Sequence, residues 1–471
     1  MSIQNDKILT SEMQRQPKLA TYGNYKWQKL IPTLAIPSTI TDGGDKISIT
    51  LPPKCANHFF DRLEFLCTMT DVTQIDIGTP LTPNLVNAYN KQFTSGICPI
   101  LRVEVVTQSS VILMDINDFN KFTNTTFKRC IPYTDVLTFD RLREGGLQAL
   151  YEGLTLNNSD VVSILPYTAG VYENPNVDYL ALREVIDDDT VNSTLPIRYT
   201  ITMGNIKESI FSVCQDMNFN EPITINFYTA PATHVGFRSE TIHDNIKSRA
   251  PTKYTLTDFS YYLAEQTNKD ILDMVNNNPK QEILIPYVYG IMKPTPTISA
   301  LNTYVLKFNK NHGKRILRTY YSPYYDYRSV EVLPDEQNGS LIYKQENYNS
   351  EMYSAINIIV NGDRIASEDY LRSNYTDYTS QKHLLKGSSI ISMLEHYRYS
   401  GYIHNFSDNY PLCKEFDFDR KNWIVGTEVY SNYDIEWVIT AGSKASFNYF
   451  WTVFQRKLII DKIAGVYLSN N

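Results

Sequence analysis

Two stretches half a chain apart carry the same pattern, and that repetition limits the fold more than any other feature of the sequence. In the later stretch, Ile356, Ile358 and Val360 alternate with Asn357 and Ile359, and Asn361-Gly362 and Asp363-Arg364-Ile365 follow. Alternation marks a strand with one buried face, and Asn-Gly supplies the two positive-φ residues of a type I′ turn, so 355–365 predicts a hairpin. In the earlier stretch, 101–114, Leu101, Val103 and Val105 alternate with Arg102 and Glu104, a polar turn runs from Thr107 to Ser110, and Val111 to Met114 returns. Asp118-Phe119-Asn120-Lys121 follows the first hairpin and Asp369-Tyr370-Leu371-Arg372 the second. Leu-Ile-Pro stands at 30–32 and again at 284–286, and helical spacing begins near Phe139 and near Ile390. Landmarks repeated in the same order predict a duplicated chain.

Length agrees with duplication, since a hydrophobic core stops growing at roughly 250–300 residues and this chain has 471. Most of the apolar pattern is short and strand-like, as in Lys46–Leu51, Phe59–Met69, Arg198–Met203, Ile223–Thr229, Glu282–Pro286, Thr303–Phe308, Arg315–Tyr321 and Tyr433–Thr440. The turn Asp42-Gly43-Gly44-Asp45 lacks the ligand spacing of a calcium loop and predicts a tight hairpin. One strong helical pattern interrupts the strands, with Leu256, Phe259, Leu263, Ile271, Met274 and Val275 at helical spacing, Thr257-Asp258 as cap and Pro279 beyond the end. A parallel fold needs a helix after nearly every strand, so this pattern predicts an all-β chain of antiparallel sandwiches with short flanking helices. About eight strands per half suit a jelly roll. The expected organisation is an N-terminal arm at 1–20, a first jelly roll at 21–240, a helical connector at 241–280 and a second jelly roll at 281–471. The closing run Phe447–Tyr467 reads as strand interrupted near Arg456.

Tyrosine is the compositional oddity, 35 residues against 20 Phe and 4 Trp, and it suits sheets whose surfaces are buried at one end and hydrogen-bonded at the other. No window approaches the roughly 18 apolar residues of a membrane span, and Met1–Gln16 has no apolar signal core, which predicts synthesis in a cytoplasm. The six cysteines (Cys55, Cys67, Cys98, Cys130, Cys214, Cys413) include no Cys-x-x-Cys pair and predict free thiols in a reducing compartment. Net charge is −7, against a role as a nucleic-acid condenser. Lys7, Arg15, Lys18, Lys26 and Lys29 outnumber Asp6 and Glu12 at the N-terminus, leaving either a solvated tail or a polyanion-binding arm.

Catalytic signatures are missing: there is no nucleophile elbow, phosphate loop, His-Glu-x-x-His or dinucleotide fingerprint. The seven histidines are dispersed, and the nearest pair, His396 and His404, straddles the helix-breaking Gly401. Asp187-Asp188-Asp189 reads as a solvated acidic run, and Asp417-Phe418-Asp419 places two carboxylates on one side of a strand, as a glycosidase could use. The run from Tyr320 to Arg328 fits a contact surface or an internal plug of tyrosines. Asn-x-Ser/Thr triplets at Asn124, Asn192, Asn338, Asn374 and Asn405 carry little meaning in an Asn-rich chain.

The repeated hairpin and short helix, the linking helix, the tyrosine-rich strands and the final run from Phe447 to Leu468 resemble the double-jelly-roll major capsid proteins of tailless icosahedral viruses, the virophage, polinton-like and adenovirus lineage. That family has no short diagnostic motif, and the resemblance covers nearly the whole chain. It implies a structural protein of the virion, not an enzyme, with no catalytic, cofactor-binding or metal-binding residues. Its partners would be itself, as a pseudo-hexagonal homotrimer and with neighbouring capsomers, together with minor capsid or penton proteins. Assembly would take place in the host cytoplasm or a viral factory, and the arm would reach adjacent capsomers, an inner membrane or the genome. Two other readings predict differently: a hydrolase of glycans or glycopeptides on paired jelly rolls needs an acidic cleft using Asp417 or Asp419, and a spike or receptor-binding protein forms trimers that do not tile.

Overall fold

The computed structural model describes residues 24–72, 86–93, 97–123, 182–185, 195–206, 208–242, 245–249, 251–309, 311–313, 315–325, 353–360, 362–364, 370–371, 414–417, 427–428, 433–442 and 446–469. The first half contains β1 (Tyr25–Leu30), β2 (Lys46–Leu51), β3 (Arg62–Val72), β4 (Val86–Phe93), β5 (Ile100–Thr107), β6 (Ile112–Asn117), β7 (Leu182–Val185), β8 (Leu195–Thr202), β9 (Ile223–Thr229), β10 (Gly236–Ile242), β11 (Asn245–Arg249) and β12 (Pro251–Gln266). The helix α1 (Lys269–Asn277) then leads to β13 (Lys280–Pro294), β14 (Leu301–Phe308), β15 (Arg315–Tyr325), β16 (Tyr353–Val360), β17 (Asp363–Arg364), β18 (Tyr370–Leu371), β19 (Lys414–Asp417), β20 (Thr427–Glu428), β21 (Tyr433–Ala441), β22 (Ser446–Asp461) and β23 (Gly465–Ser469).

The duplication is visible in the sheet topology. One sheet of the first half runs β2-β9-β5-β6, and one of the second runs β14-β21-β16-β17. The facing sheets run β1-β12-β3-β8 and β13-β22-β15-β19, with β20 and β23 added at the side of the latter. The two hairpins therefore occupy equivalent strands, β5–β6 and β16–β17. In the second of them Val360 pairs with Asp363 across a two-residue turn whose Gly362 has φ 85°, as the Asn-Gly signal requires. Every described strand pairing is antiparallel, and apart from hairpins such as β5–β6 and β16–β17 most sheet neighbours come from distant parts of the chain, as in Greek-key sandwiches. A further sheet, β11-β10-β4-β7, belongs to the first half and has no counterpart among the described residues.

Alternation dictates the cores. Ile47, Ile49 and Leu51 of β2, Val103 and Val105 of β5, and Ile225 and Phe227 of β9 point inward to meet Phe65 and Phe259 from the facing sheet. Phe259 stacks on Phe65 with ring centroids 5.2 Å apart and meets Phe227 edge-on at 5.5 Å. In the second half the inward row of β14, Tyr304, Leu306 and Phe308, alternates with outward residues along its whole length. Trp437 of β21 fills the middle of that sandwich, 5.5 Å from Tyr321 and 5.7 Å from Phe450. The outward face of the β5–β6 hairpin is polar, and Arg102 forks onto both carboxylate oxygens of Asp115 at 2.7 and 2.9 Å.

Several local expectations are corrected. The helical pattern at 255–276 is strand up to Gln266, and only Lys269–Asn277 is helix. The register of β12 shifts between Thr257 and Ser260, where Asp258 sits at φ 54°. That bulge places Leu256 and Phe259 on the same inward face three residues apart, a spacing that mimics a helix. The cap of α1 is Asn268, whose side chain accepts from the Asp270 amide, not Thr257-Asp258. The last long strand continues through Arg456 and ends at Asp461. Arg456 is accommodated because its guanidinium lies 3.6 Å from the Tyr287 ring centroid and donates to the carbonyls of His312 and Asn311. Asp42–Asp45 is a turn, but not a hairpin, since β1 pairs with β12 and β2 with β9. Gly43, at φ 71°, backs directly onto the Ala230 carbonyl carbon, where a Cβ would stand only 2.5 Å away.

Candidate functional site: the seam between the halves

The phrase that follows the first hairpin is the part of the first half that grips the second. Asp118 adopts φ 52° at the end of β6, and the chain turns helically so that the Phe122 amide donates to the Asp118 carbonyl at 2.9 Å. Thr123 Oγ1 closes the turn by donating to the Phe119 carbonyl at 2.9 Å. This projects Phe122 onto the second half, 5.6 Å from Trp451 of β22 and 6.4 Å from Tyr320 of β15, edge-on to both. Tyr449 stacks on Trp451 at 5.7 Å, and the Lys121 ammonium lies 5.5 Å from the Tyr449 ring centroid. A cation over an aromatic face in a buried setting is worth about 2 kcal/mol, which helps explain how Lys121 is buried at all.

Polar contacts complete the seam. Tyr320 donates its hydroxyl to Glu208 at 3.0 Å, and Gln281 of β13 donates to the Asp216 carbonyl at 2.8 Å. Glu208 is 5% exposed, so this carboxylate is presented to the seam instead of to water. Ile283, Ile285 and Val288 of β13 join an apolar cluster continuous with the first-half core. Gly290 is required beside them, because a Cβ there would lie 2.8 Å from Trp451 Cδ1.

The charges near this turn are shifted by burial. Desolvation raises the Asp118 carboxyl, with Lys121 partly opposing it. Desolvation, reinforced by Lys121, holds His234 well below the ordinary histidine value, and its Nδ1 lies 3.4 Å from the Asn120 amide nitrogen. A histidine kept neutral in the folded state takes up its proton more readily when unfolded, so stability falls as pH drops through the unfolded value of about 6.5. Asp118 works in the opposite direction, gaining stability on acidification, but nearer the carboxylate range. We therefore expect the urea midpoint to fall between about pH 7 and pH 5.5, and His234→Gln to lessen that fall. An unchanged pH dependence in the variant would rule out His234 as its source.

A second polar cluster braces the strand that leads to the connector. Asp61 is fully buried, with its Oδ1 accepting from the Ala264 amide at 2.7 Å and its Oδ2 from the Tyr261 hydroxyl at 2.5 Å. His58 Nδ1 lies 2.7 Å from the same Oδ2. Nearby, Asp216 accepts from Gln266 Nε2 at 3.1 Å and from Tyr25 at 3.5 Å, and desolvation raises its carboxyl despite both bonds. Gln266 in turn accepts from the amides of Thr267 and Asn268, fixing the entry to α1. These are closed hydrogen-bonded groups that tie strands together.

The residues singled out in the sequence fall differently. Tyr320 and Tyr321 are buried strand residues, Tyr320 in the seam and Tyr321 in the second-half core; Asp326, Tyr327 and Arg328 lie outside the described residues. Asp417 ends β19, paired with Arg318. Phe418 and Asp419, Asp187–Asp189, His396, His404, the five Asn-x-Ser/Thr sites, the helices near Phe139 and Ile390, and the arm 1–20 all lie outside the described residues. Among the described residues no group of three or more His, Cys, Asp and Glu could hold a metal ion. Cys55, Cys67, Cys98 and Cys214 are buried thiols. Burial pushes Cys55 up to about 12 and Cys67 well above the usual thiol value, the reverse of an activated nucleophile. Sequence reasoning missed Glu208, Phe122 and Trp451 as seam residues. The only signal near them was the Asp118-Phe119 phrase, read as a landmark without a role.

Comparison with solved structures places this fold. No family model matches the sequence, and no curated protein is similar to it in sequence. A chain of the Sputnik virophage is similar at TM-score 0.56 and 12% identity, over 95% of this chain and 89% of that one. A chain of the PBCV-1 virus capsid is similar at TM-score 0.52 and 10% identity, over 95% and 98% of the two chains. The Faustovirus major capsid protein is similar at TM-score 0.51 and 9% identity, over 93% and 90%. The chain thus has the double-jelly-roll fold of viral major capsid proteins, matched along nearly its whole length.

Proposed function

We propose that this chain is the major capsid protein of a tailless icosahedral virus, and that three copies associate into a pseudo-hexagonal capsomer that tiles the shell. The observation that carries this reading is the pairing of two topologically equivalent sandwiches, held in one fixed relation by the Phe122–Trp451–Tyr320 seam. If the halves differ by a sixth of a turn, three chains supply six similar units, and a unit with near-sixfold outline packs on a facet. The likeness to virophage and capsid chains supports the same role.

In this reading the protein is structural and not an enzyme, and it resides in the virion after assembly in the host cytoplasm or a viral factory. Its partners are its own copies, then minor capsid or penton proteins, with the arm at 1–20 reaching a neighbouring capsomer, a membrane or the genome. We place the end of the first jelly roll at Gln266, since β12 pairs with both β1 and β3, and assign α1 as the connector. Sedimentation of the purified protein at micromolar concentration tests the proposal. The expected species has three times the monomer mass; a stable monomer across that range would sink it.

A further inference from the structure

We infer that the turn Asp118–Thr123 is an acid-sensitive latch: protonation of His234 releases it, and with it the grip of the first half on the second. The latch lies within one chain and does not depend on self-association. His234 ends the short turn Ala232–His234, which is fixed to the first half by the Ala232 amide donating to the Thr41 carbonyl at 2.8 Å and by packing on β12. The ring Nδ1 stands 3.4 Å from Asn120 Nδ2. The side-chain amide of Asn120 is held in that orientation, because its Oδ1 accepts from the Lys121 amide at 2.9 Å. Nδ2 is therefore the atom that faces the ring, and it can only donate. The contact requires an unprotonated Nδ1, with the imidazole proton on Nε2.

Protonation sets a donor against a donor and adds a positive charge beside Lys121, the charge that bears on this ring. Lys121 is itself buried, and Asp118 at the head of the same turn is a carboxylate in electrostatic contact with it. On the other sides of the Ala232–His234 turn the ionisable residues are Asp42, next to Thr41, and Lys253 and Tyr254 of β12, whose Tyr254 hydroxyl donates to the Ala230 carbonyl at 2.7 Å. Lys121 lies over Tyr449, and Phe122 beside it meets Trp451 and Tyr320, so the turn pushed away from His234 is the one that carries the seam. His234 is partly exposed, which lets a proton reach it without unfolding of the sandwich. In the closed latch the ring is held well below its ordinary value, and in the open latch it returns toward about 6.5. Acid therefore favours the open form, by up to about tenfold for each pH unit below that value.

Amide hydrogen exchange of the full chain at pH 6.5 and at pH 5.5, corrected for the intrinsic pH dependence of exchange, tests the latch. In the wild type, protection across 118–123 should fall by up to about tenfold between the two, while Ile435–Ile439 in the second-half core keep theirs. In His234→Gln, 118–123 should be equally protected at both pH values. Unchanged protection of 118–123 in the wild type overturns the latch. A fall that persists in His234→Gln assigns the opening to another group and overturns it too. An equal fall in 118–123 and in Ile435–Ile439 means that the chain opens as one body, with no latch between the halves. Should His234→Gln not fold, the His234 ring is titrated by NMR in the wild type. Its protonation should follow the opening of 118–123, and a ring that titrates near 6.5 while that turn stays closed overturns the assignment.

Discussion

Replacing Asp61 with alanine should lower the free energy of unfolding by about 3–5 kcal/mol, the range for removing one partner from a buried charged cluster. The carboxylate is inaccessible to water and collects the Tyr261 hydroxyl, the Ala264 amide and His58 within 2.7 Å. Alanine leaves all three buried without that partner, beneath β3, β12 and the turn between Asn57 and Asp61. Asp61→Asn should cost less, because an amide oxygen still accepts from the Ala264 amide. Urea unfolding of the three proteins at neutral pH measures the order, and a loss below about 1 kcal/mol for the alanine variant would mean that the cluster is not a brace.

The second large effect is expected at Trp451. Truncating a fully buried tryptophan to alanine costs about 3–5 kcal/mol through lost contacts and the cavity left behind. Here the cavity opens at the seam, since Trp451 touches Phe122 from the other half and Tyr449 from its own strand. The halves retain separate sandwich cores, so Trp451→Ala should also split one cooperative unfolding transition into two. Phe122→Ala should do the same from the other side, and the two losses should be less than additive, as expected of residues in contact. A single unchanged transition in calorimetry would show that the seam does not couple the halves.

How much of this was readable from sequence depends on where periodicity was clean. The β5–β6 and β16–β17 hairpins were legible because apolar residues alternate along the leading strand of each and a short turn follows, and the two pairs take matching places in the topology. The bulge of β12 puts Leu256 and Phe259 on one face at a helical interval, whereas its counterpart β22 pairs with β13 without a register shift and its aromatic and apolar run reads as strand. The duplication itself contained the correction, since the two strands lie between corresponding partners, β1 and β3 in one half and β13 and β15 in the other. The seam was not legible. Lys121 and Phe122 come from one helical turn and Glu208 from a loop, all too short to show a period, and their meaning depends on a face of the second half that only folding brings to them. Tyr320 and Tyr321 show the same limit: adjacent in sequence and identical in chemistry, one faces the seam and the other the sandwich core.

In the proposed capsomer, two equivalent halves per chain act as six units in a three-chain ring. Electron cryomicroscopy of the purified protein tests it most directly. The expected images show threefold particles with six similar lobes, alternating between first and second halves. Particles with two lobes that persist as single chains, or rings with another number of chains, would contradict it.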